Sequence, residues 1–331
     1  MTSQQKKAVS FLGPAASYSH QAVRQAFPEN DWEYNPVVTI GDVFDIVQDS
    51  VSPAGLVPFE NSTNGSVVFT LDYLADRNDR YPDVTVRGEV YVDVHHCLLG
   101  HKALNHNLED GTEGSGTCTP TATDPSPPRP RTKPLSSLKH IQRIYSHPQA
   151  FGQCNAFIST YLKGVEVFDV SSTSKAAEIV SGDTTGTWAA ISSQLAAEMH
   201  GLDMLGRNIE DRTDNTTRFL IIGKDPEIPR EGDLTMPSHG QVGTKSMVSL
   251  TVPHDSPGAL AKALSCFEEF GLNLTSINSR PSLVQPFHYI FFLEFRGHLY
   301  DDPEAKVRGC FEKLKNVAEN WRWLGSWRTC R

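Results

Sequence analysis

Hydrophobic residues in the first two thirds of the chain form short runs that alternate with stretches of helical spacing. The short runs predict buried strands at residues 8–13, 54–60, 84–98, 141–147, 165–170, 187–192 and 217–223. The stretches between them predict helices at residues 18–27, 39–47, 151–162 and 175–180, and from Gln194. Strands that alternate with helices predict an α/β fold with a mainly parallel sheet.

The pattern changes after Lys245. Strands are predicted at residues 247–253, 273–281, 288–298 and 321–327, with one helix after the first strand and one after the third. Asp255 or Ser256 is the predicted N-cap of the first of these helices, Pro257 lies near its first turn, and Gly271 ends it. The order βαββαβ within about 80 residues is typical of a ferredoxin-like unit.

Two segments differ from the rest in composition. Residues 105–139 are rich in Gly, Pro, Ser and Thr and nearly lack large apolar side chains, so they predict a disordered insertion. Residues 224–245 predict a linker between domains.

The bulk composition restricts the class of protein. The chain has 331 residues and a formal net charge of −9, which argues against a nucleic-acid partner because phosphate contacts require a basic face. Its six cysteines form no C-x-x-C pair, and scattered thiols indicate a reducing compartment. No secretory signal and no membrane-spanning stretch is predicted. We therefore expect a cytoplasmic protein without a membrane partner.

Small polar residues cluster where predicted strands end, at residues 13–21, 58–67, 171–175 and 214–219. Hydroxyl groups and backbone N–H groups at such junctions could hold an anion, although the same residue types also favour N-caps and turns. The sequence contains no H-E-x-x-H, G-x-S-x-G or Walker motif. His147, ahead of Pro148, is more typical of an N-cap or a packing group than of a catalytic base.

Four segments and the tail resemble a known family in the same order along the chain. GPAASYSHQA, VPFENSTNGSV, YSHPQAFGQC and NTTRFLIIG are similar to the motifs of the prephenate dehydratase family, although Ala16 stands where that family usually has glycine. PGAL (257–260) and NSRP (278–281) are similar to the G-A-L and E-S-R-P motifs of an ACT regulatory domain. The resemblance covers residues 8–100 and 140–327.

The resemblance implies a two-lobed catalytic region at residues 8–223, like a type II periplasmic binding protein, followed by a ferredoxin-like ACT domain at residues 246–328. The first lobe would take residues 8–100 and 201–223 and the second lobe residues 101–200, so that the chain crosses between lobes twice.

The activity implied by the family is the conversion of prephenate to phenylpyruvate, carbon dioxide and water without a metal or nucleotide cofactor. The family pattern makes Thr217 of NTTRF the catalytic residue, and Arg218 is either a partner of a substrate carboxylate or a structural salt bridge. Glu60 is expected to be structural, because its charge would repel a dianion. Candidate substrate hydrogen bonds come from Ser17, Tyr18, Asn61, Ser62, Ser172 and Thr173.

Regulation by phenylalanine is implied by the ACT motifs. In the family the effector lies between the G-A-L loop of one ACT unit and the E-S-R-P strand of another, which predicts a homodimer or homotetramer. The corresponding residues are Gly258, Ala259, Leu260, Asn278, Ser279, Arg280 and Pro281. Asn278 replaces the expected glutamate.

Two alternatives stay open. An arogenate dehydratase would use the same fold on the aminated substrate, and a non-catalytic binding protein would use the cleft and the ACT unit only to sense an amino acid. No chorismate mutase helices precede Val9 and no dehydrogenase fingerprint is present, which predicts a monofunctional enzyme.

Overall fold

The computed structural model describes residues 6–103, 129–224 and 243–329. The contacts between residues divide the chain into two units. The first unit comprises Met1–Leu12, Ala22–Tyr91 and Arg218–Arg331, and the second comprises Gly13–Gln21 and Val92–Thr217. The chain therefore passes between the units four times, rather than the two times expected, and the second unit extends beyond residues 101–200 at both ends.

The described residues contain fifteen strands and nine helices. The strands are β1 (Lys7–Leu12), β2 (Trp32–Val37), β3 (Ala54–Asn61), β4 (Gly65–Ser66), β5 (Thr85–Asp93), β6 (Cys97–Gly100), β7 (Arg143–Ser146), β8 (Glu166–Asp169), β9 (Trp188–Ser192), β10 (Asp203–Gly206), β11 (Thr216–Gly223), β12 (Thr244–Thr251), β13 (Leu274–Pro281), β14 (Tyr289–Arg296) and β15 (Asn320–Arg328). The helices are α1 (Tyr18–Ala26), α2 (Ile40–Gln48), α3 (Val68–Ala75), α4 (Pro148–Gly152), α5 (Asn155–Tyr161), α6 (Thr173–Ser181), α7 (Gln194–His200), α8 (Ala259–Glu269) and α9 (Lys306–Leu314).

The sheet of the first unit continues from the catalytic region into the tail. Within the described ranges its strand order is β13-β14-β12-β15-β5-β11-β3-β1-β2, with β4 paired to β3. The two parts meet where Gly325 of β15 pairs with Val86 of β5. Gly325 has a φ of 142°, and a Cβ there would lie 2.1 Å from the Val86 carbonyl oxygen. Only glycine allows the two backbones to approach this closely.

The tail has the element order β12-α8-β13-β14-α9-β15, which confirms the predicted ferredoxin-like βαββαβ unit. It also shares a core with the catalytic region. Met247, Phe292, Leu324 and Trp327 pack in the same apolar cluster as side chains of α2, β3, β5 and β11. The tail is therefore part of the first unit rather than a separately packed module.

The second unit has a five-stranded sheet with the order β10-β6-β9-β7-β8. β7 runs parallel to β8 and β9, whereas β6 runs antiparallel to β9 and β10. The predicted α/β class is confirmed, with a sheet of mixed direction. No helix within residues 6–103, 129–224 and 243–329 is long and apolar enough to cross a membrane.

Local signals predicted several elements well. At the start of the helix predicted at 39–47, Thr39 caps α2 by accepting from the Asp42 N–H at 3.1 Å, and the Asp42 carboxylate accepts from the Thr39 N–H at 2.8 Å. Gly271 follows α8 with a φ of 62°, which confirms the predicted helix end. His147 caps α4 by accepting from the Gln149 N–H at 3.2 Å.

Other boundaries were wrong. The single strand predicted at 84–98 is divided into β5 and β6, because the chain turns at residues 94–96, where the His96 N–H donates to buried Glu210. The helix predicted at 151–162 is divided into α4 and α5. Helix α8 begins at Ala259 rather than near Pro257, because Gly258 has a left-handed φ of 76°. β2, β4, α3 and β10 were not predicted.

The extent of the predicted insertion was also wrong. Residues 129–139 belong to the described structure: the Leu135 N–H donates to the Leu205 carbonyl at 2.8 Å, and Leu138 is buried in the core of the second unit. The rest of the predicted insertion, at 105–128, lies outside the described residues, as does the predicted linker except for Lys224 and residues 243–245.

Candidate active site

Three strands of the second unit end at one edge of its sheet, and helices begin there. Because β7, β8 and β9 run parallel, the helices that follow them, α4, α6 and α7, all begin at the same edge. The Ser172 hydroxyl caps α6 by accepting from the Lys175 N–H at 3.0 Å, and the Ser193 hydroxyl caps α7 by accepting from the Ala196 N–H at 3.2 Å. Thr173 is the first residue of α6. This edge offers hydroxyl groups and N-terminal helix turns, which favour anions.

The segment at residues 13–21 is attached to this edge. Ser174 donates to the Ala15 carbonyl at 2.5 Å, and Ser193 donates to the Ala16 carbonyl at 3.4 Å. Ala16 is buried with a φ of 64°, the region in which the family's usual glycine is unstrained. The structure therefore brings Ser17, one residue further on, close to the start of α6, where Ser172 and Thr173 lie.

Ser17 and Ser172 both act as N-caps in the structure. The Ser17 oxygen accepts from the His20 N–H at 3.2 Å, as Ser172 does for α6. A serine that accepts through its oxygen keeps its hydroxyl hydrogen for donation. Both residues are thus structural caps that could still donate to a ligand.

Tyr18 is directed into the second unit. Its hydroxyl group donates to the His95 carbonyl at 2.9 Å and lies 3.1 Å from His96 Nδ1. His96 Nε2 in turn lies 2.8 Å from Gln153 Oε1, so Nε2 carries the hydrogen, and Nδ1 is unprotonated and competes with the His95 carbonyl for the single Tyr18 hydrogen. Burial raises the pKa of Tyr18 well above its ordinary value and lowers the pKa of His96. Tyr18 is a neutral phenol beside a neutral imidazole.

The buried carboxylate group of Glu210 holds the residues around His96 in place. Glu210 accepts from the His96 N–H at 2.9 Å and contacts His95 Nδ1 at 3.1 Å. The Arg131 guanidinium lies 3.3 Å from the same carboxylate. Sequence reasoning missed His96, Gln153, Glu210 and Arg131. Gln153 lies within the third motif and could have been found there, whereas Glu210 belongs to no motif and Arg131 fell in the predicted insertion.

Thr217 is the last residue of the second unit. Its neighbour Thr216 donates to Asp93 Oδ1 at 2.6 Å, and the Asn215 carbonyl accepts from the Val94 N–H at 2.8 Å. These two bonds fasten the start of β11 to the end of β5. Side chains alternate along a strand, so Thr217 points to the face opposite Thr216 and Arg218. Thr217 is half-buried.

Arg218, the next residue, lies in a cluster of charged side chains in the first unit, and all of them except Glu60 are largely buried. We define the ionic cluster as Glu60, Glu89, Arg218, Lys245 and Glu294. The side chain of Arg218 is only 4% exposed and pairs with Glu60 at 3.0 Å and Glu294 at 2.6 Å, and also with Glu89. Lys245 lies 3.3 Å from Glu89 and 3.2 Å from Glu294. Arg218 is thus the structural salt bridge that the sequence left as an alternative, and Glu60 is its partner.

Burial and charge act in opposite directions within the ionic cluster. Burial alone would raise the pKa of Glu294, but the neighbouring Arg218 and Lys245 lower it below its ordinary value. The carboxylate groups likewise raise the pKa values of Arg218 and Lys245 against the effect of burial. These three shifts favour the charged forms of Glu294, Arg218 and Lys245.

Asn61 shapes the turn after β3 in the first unit. Its side-chain oxygen accepts from the Thr63 N–H at 3.0 Å, the Thr63 hydroxyl at 2.7 Å, the Asn64 N–H at 3.1 Å and the Asn64 amide at 2.8 Å. Ser62 is exposed in this turn. Asn61 therefore positions the turn that presents Ser62 to solvent.

The predicted effector residues separate into two groups. Gly258, Ala259 and Leu260 line a cavity of about 410 Å³, together with Ser282, Gln285, His288 and Glu319 among others. His254 and His288 stack in its wall with ring centroids 4.1 Å apart. The residues at 278–281 are not part of this lining. Asn278 and Arg280 instead contact β4 and α3, and Ser279 and Pro281 are exposed.

The sequence model of one family, described as "Prephenate dehydratase", matches residues 9–227. Among curated relatives, the bifunctional chorismate mutase/prephenate dehydratase of Aquifex aeolicus (strain VF5) is 33% identical over 98% of this chain and 74% of its own length.

Two solved structures resemble the whole chain. The prephenate dehydratase of Arthrobacter aurescens in complex with L-Phe is 26% identical, with a TM-score of 0.73 over 97% of this chain and 89% of that one. GqqA, described as a novel type of quorum-quenching acylase, is 27% identical, with a TM-score of 0.72 over 98% of both chains.

Proposed function

The chain belongs to the prephenate dehydratase family and converts prephenate to phenylpyruvate in phenylalanine biosynthesis, and on that premise we propose that the Thr217 hydroxyl acts on the leaving group. The observation that supports this role is the placement of Thr217. Thr216 bonds to Asp93 and Arg218 pairs with three carboxylates, so the backbone on both sides of Thr217 is fixed in position, and the Thr217 side chain points to the other face of the strand.

The reaction requires help at one oxygen atom. The bond between the ring and its carboxylate breaks, its electron pair moves into the ring, and the ring hydroxyl leaves with one proton as water. The aromatic product supplies the driving force, so the barrier lies in the departure of a hydroxide-like group. A hydroxyl donor that is already positioned stabilises the charge that develops on that oxygen, and threonine does so by hydrogen bonding rather than as a strong acid.

Neutral groups are proposed to bind the substrate dianion. In the second unit, Ser17, Ser172 and Thr173 lie near one helix N-terminus, where hydroxyl and N–H donors favour a carboxylate. Asn61 and Ser62 of the first unit remain proposed substrate contacts. Tyr18 is proposed as a positioning residue, because its hydroxyl group already donates within the second unit.

Arg218 is proposed to position Thr217 rather than to bind a carboxylate of the substrate. Its side chain is buried and its charge is offset by Glu60, Glu89 and Glu294. A cation in such an environment has little remaining attraction for an anionic ligand. Its ion pairs hold the backbone of β11 next to the catalytic hydroxyl.

Phenylalanine is the proposed effector, and the cavity at Gly258–Leu260 is its proposed site. One relative was solved in complex with L-Phe, and the volume of about 410 Å³ suits an amino acid of that size. The β13–β14 loop beside the cavity exposes Leu283 (76%), Val284 (84%) and Phe287 (80%). An exposed apolar loop of this kind favours pairing of two ACT units, so we propose a homodimer or homotetramer.

The domain assignment follows the same proposal: a catalytic region at residues 8–223, a linker at 224–245 and an ACT domain at 246–328. A cytoplasmic location is proposed because the four described cysteines, at positions 97, 154, 266 and 310, are free thiols.

The decisive experiment measures phenylpyruvate formation by the purified chain and its variants. Thr217→Ala is expected to lower kcat about 10²–10³-fold, the usual effect of removing one donor to a developing charge. Thr217→Ser should keep most of the activity. Thr216→Ala is the matched control, since it removes a neighbouring hydroxyl on the opposite face. Full turnover by Thr217→Ala would disprove the assigned role.

The same assay separates the alternatives. Turnover of arogenate in preference to prephenate would indicate an arogenate dehydratase, and no turnover of either would favour an amino-acid-binding protein. The likeness to GqqA makes an acylase reaction the second activity to test. Acylase activity with no phenylpyruvate from prephenate would favour that alternative.

A further inference from the structure

Side chains of β13 tie the tail to the catalytic region. The Ser66 hydroxyl donates to Asn278 Oδ1 at 2.6 Å. Arg280 makes two bonds to Asp72 of α3, at 2.9 and 2.7 Å, and Arg77 donates to the Pro281 carbonyl at 2.9 and 2.7 Å. The segment that resembles the effector-binding E-S-R-P strand thus contacts β4 and α3.

The contact at Ser66 leads directly to a proposed substrate-binding turn. Ser66 belongs to β4, which pairs with the end of β3 in the register Glu60 to Ser66 and Asn61 to Gly65. Asn61 in turn organises the turn that bears Ser62. Ser66, the partner of Asn278, thus lies in the residue pair next to that of Asn61. A shift of Asn278 would therefore displace the strand pair that carries the Asn61 side chain.

The other end of the same hairpin lines the effector cavity. The chain leaves β13 at Pro281, passes Ser282, Gln285 and His288 in the cavity wall, and enters β14 at Tyr289. Asn278 pairs with Phe292 across the hairpin, and Ser279 pairs with Phe291, which also lines the cavity. One rigid hairpin thus joins the cavity to the contact with Ser66.

We infer that Asn278 is a positioning residue that couples the effector cavity to the substrate-binding turn through its hydrogen bond with Ser66. This inference rests on the proposed function and deepens its regulation. It assigns Asn278 a different role from the one implied by the family, since its oxygen is bonded to Ser66 and its amide nitrogen donates to Ser276 at 3.1 Å. The effector would shift the hairpin, and the hairpin would shift the turn.

The test uses the full-length chain, four single variants and the double variant Ser66→Ala/Asn278→Leu. Ser66→Ala removes the donor and Asn278→Leu removes the acceptor, whereas Asn278→Asp keeps an acceptor at the same place. Asn316→Leu is the matched control, because in the described structure this exposed side-chain amide bonds only to the Glu312 carbonyl of the preceding helix α9. Each protein is assayed for kcat and KM with and without saturating phenylalanine, and the Kd of phenylalanine is measured by calorimetry.

We expect Ser66→Ala and Asn278→Leu to reduce the effect of phenylalanine on kcat/KM about fivefold or more. The Kd of phenylalanine should stay within about twofold of the wild-type value. The double variant should lose no more coupling than either single variant, because both changes break one bond. Asn278→Asp and Asn316→Leu should respond to phenylalanine like the wild type.

Other results would overturn the inference. If Asn278→Leu weakens phenylalanine binding about tenfold while Ser66→Ala leaves regulation intact, Asn278 is an effector ligand. A wild type that turns over prephenate and responds to phenylalanine, with an unchanged Ser66→Ala variant, contradicts the inference alone. A wild type without turnover, or without a response, contradicts the proposed function and the inference together.

Discussion

The two units differ in the chemistry found on either side of one peptide bond, between Thr217 and Arg218. On the Arg218 side, the first unit holds the five charged groups of the ionic cluster, of which all but the half-exposed Glu60 are largely buried, contributed by β3, β5, β11, β12 and β14. On the Thr217 side, the helix starts that we propose for substrate binding in the second unit carry neutral caps, such as Ser172 on α6.

This difference separates rigidity from substrate binding. Buried charges that are already paired fix a backbone but leave no net attraction for an anion. Hydroxyl groups at helix ends cost little to expose and can exchange a partner for a ligand. The chain uses the first kind of group to hold β11 and the second kind, we propose, to hold prephenate.

The largest expected effect comes from breaking the ionic cluster. Arg218→Met keeps most of the side-chain volume but leaves Glu89 and Glu294 buried with only Lys245 as a cation. We expect the free energy of unfolding to fall by about 3–5 kcal/mol, measured by urea denaturation. The control Arg212→Met removes a guanidinium from an exposed pair with Asp214 and should cost about 0–1 kcal/mol. Equal losses in the two variants would contradict the comparison.

A smaller effect is expected in the pH dependence of the free energy of unfolding. Glu294 of the first unit and Asp211 of the second unit should contribute to it with opposite signs. The pKa of Glu294 is lowered, so its stabilisation is present above its ordinary value of 4.5 and is lost as the pH falls through the lower folded value. In the second unit, burial raises the pKa of Asp211 above its ordinary 3.8, so its contribution is present at low pH and lost as the pH rises.

The measurement is urea unfolding across acidic pH for the wild type, Glu294→Gln and Asp211→Asn. The stability advantage of the wild type over Glu294→Gln should shrink as the pH falls, whereas its advantage over Asp211→Asn should grow. The same trend in both comparisons would contradict the assigned directions.

The smallest effect on stability is expected at the helix caps. Ser172→Ala should lower the free energy of unfolding by about 1 kcal/mol, because the Lys175 N–H loses its acceptor. Thr39→Ala is the matched control at α2 of the first unit, where we propose no substrate contact. Only Ser172→Ala should also raise KM for prephenate. Ser172→Asp should keep the cap and raise KM further, since a carboxylate repels the dianion; an unchanged KM would remove Ser172 from the proposed site.

Helices and strands were predictable where the residues that specify them are neighbours in the sequence. The capping pair Thr39 and Asp42 lies within one helical turn, and the apolar positions of α2 repeat at helical spacing. Helix α3 escaped prediction because it directly follows the polar turn of the second motif, and β2 because Pro36 interrupts its pattern. The start of α8 escaped because it depends on the backbone conformation of Gly258.

The candidate site was predictable in part for a related reason. Ser17, Asn61, Ser172 and Thr217 lie in polar segments at strand ends, and the resemblance of those segments to family motifs marked them. The partners that position them were not marked. Glu210 and Gln153 reach His96 from 114 and 57 residues away, so no spacing along the chain connects them.

The sequence by itself determined the α/β class, the βαββαβ tail, the family and the candidate hydroxyl groups, because periodicity, caps and motifs are properties of neighbouring residues. Only the tertiary structure decided that Arg218 is a buried ion-pair partner, that Gly325 lets the tail join the catalytic sheet, and that Asn278 contacts Ser66. Each of these depends on groups from distant segments that meet only after folding, where burial and charge pairing set the role of a side chain.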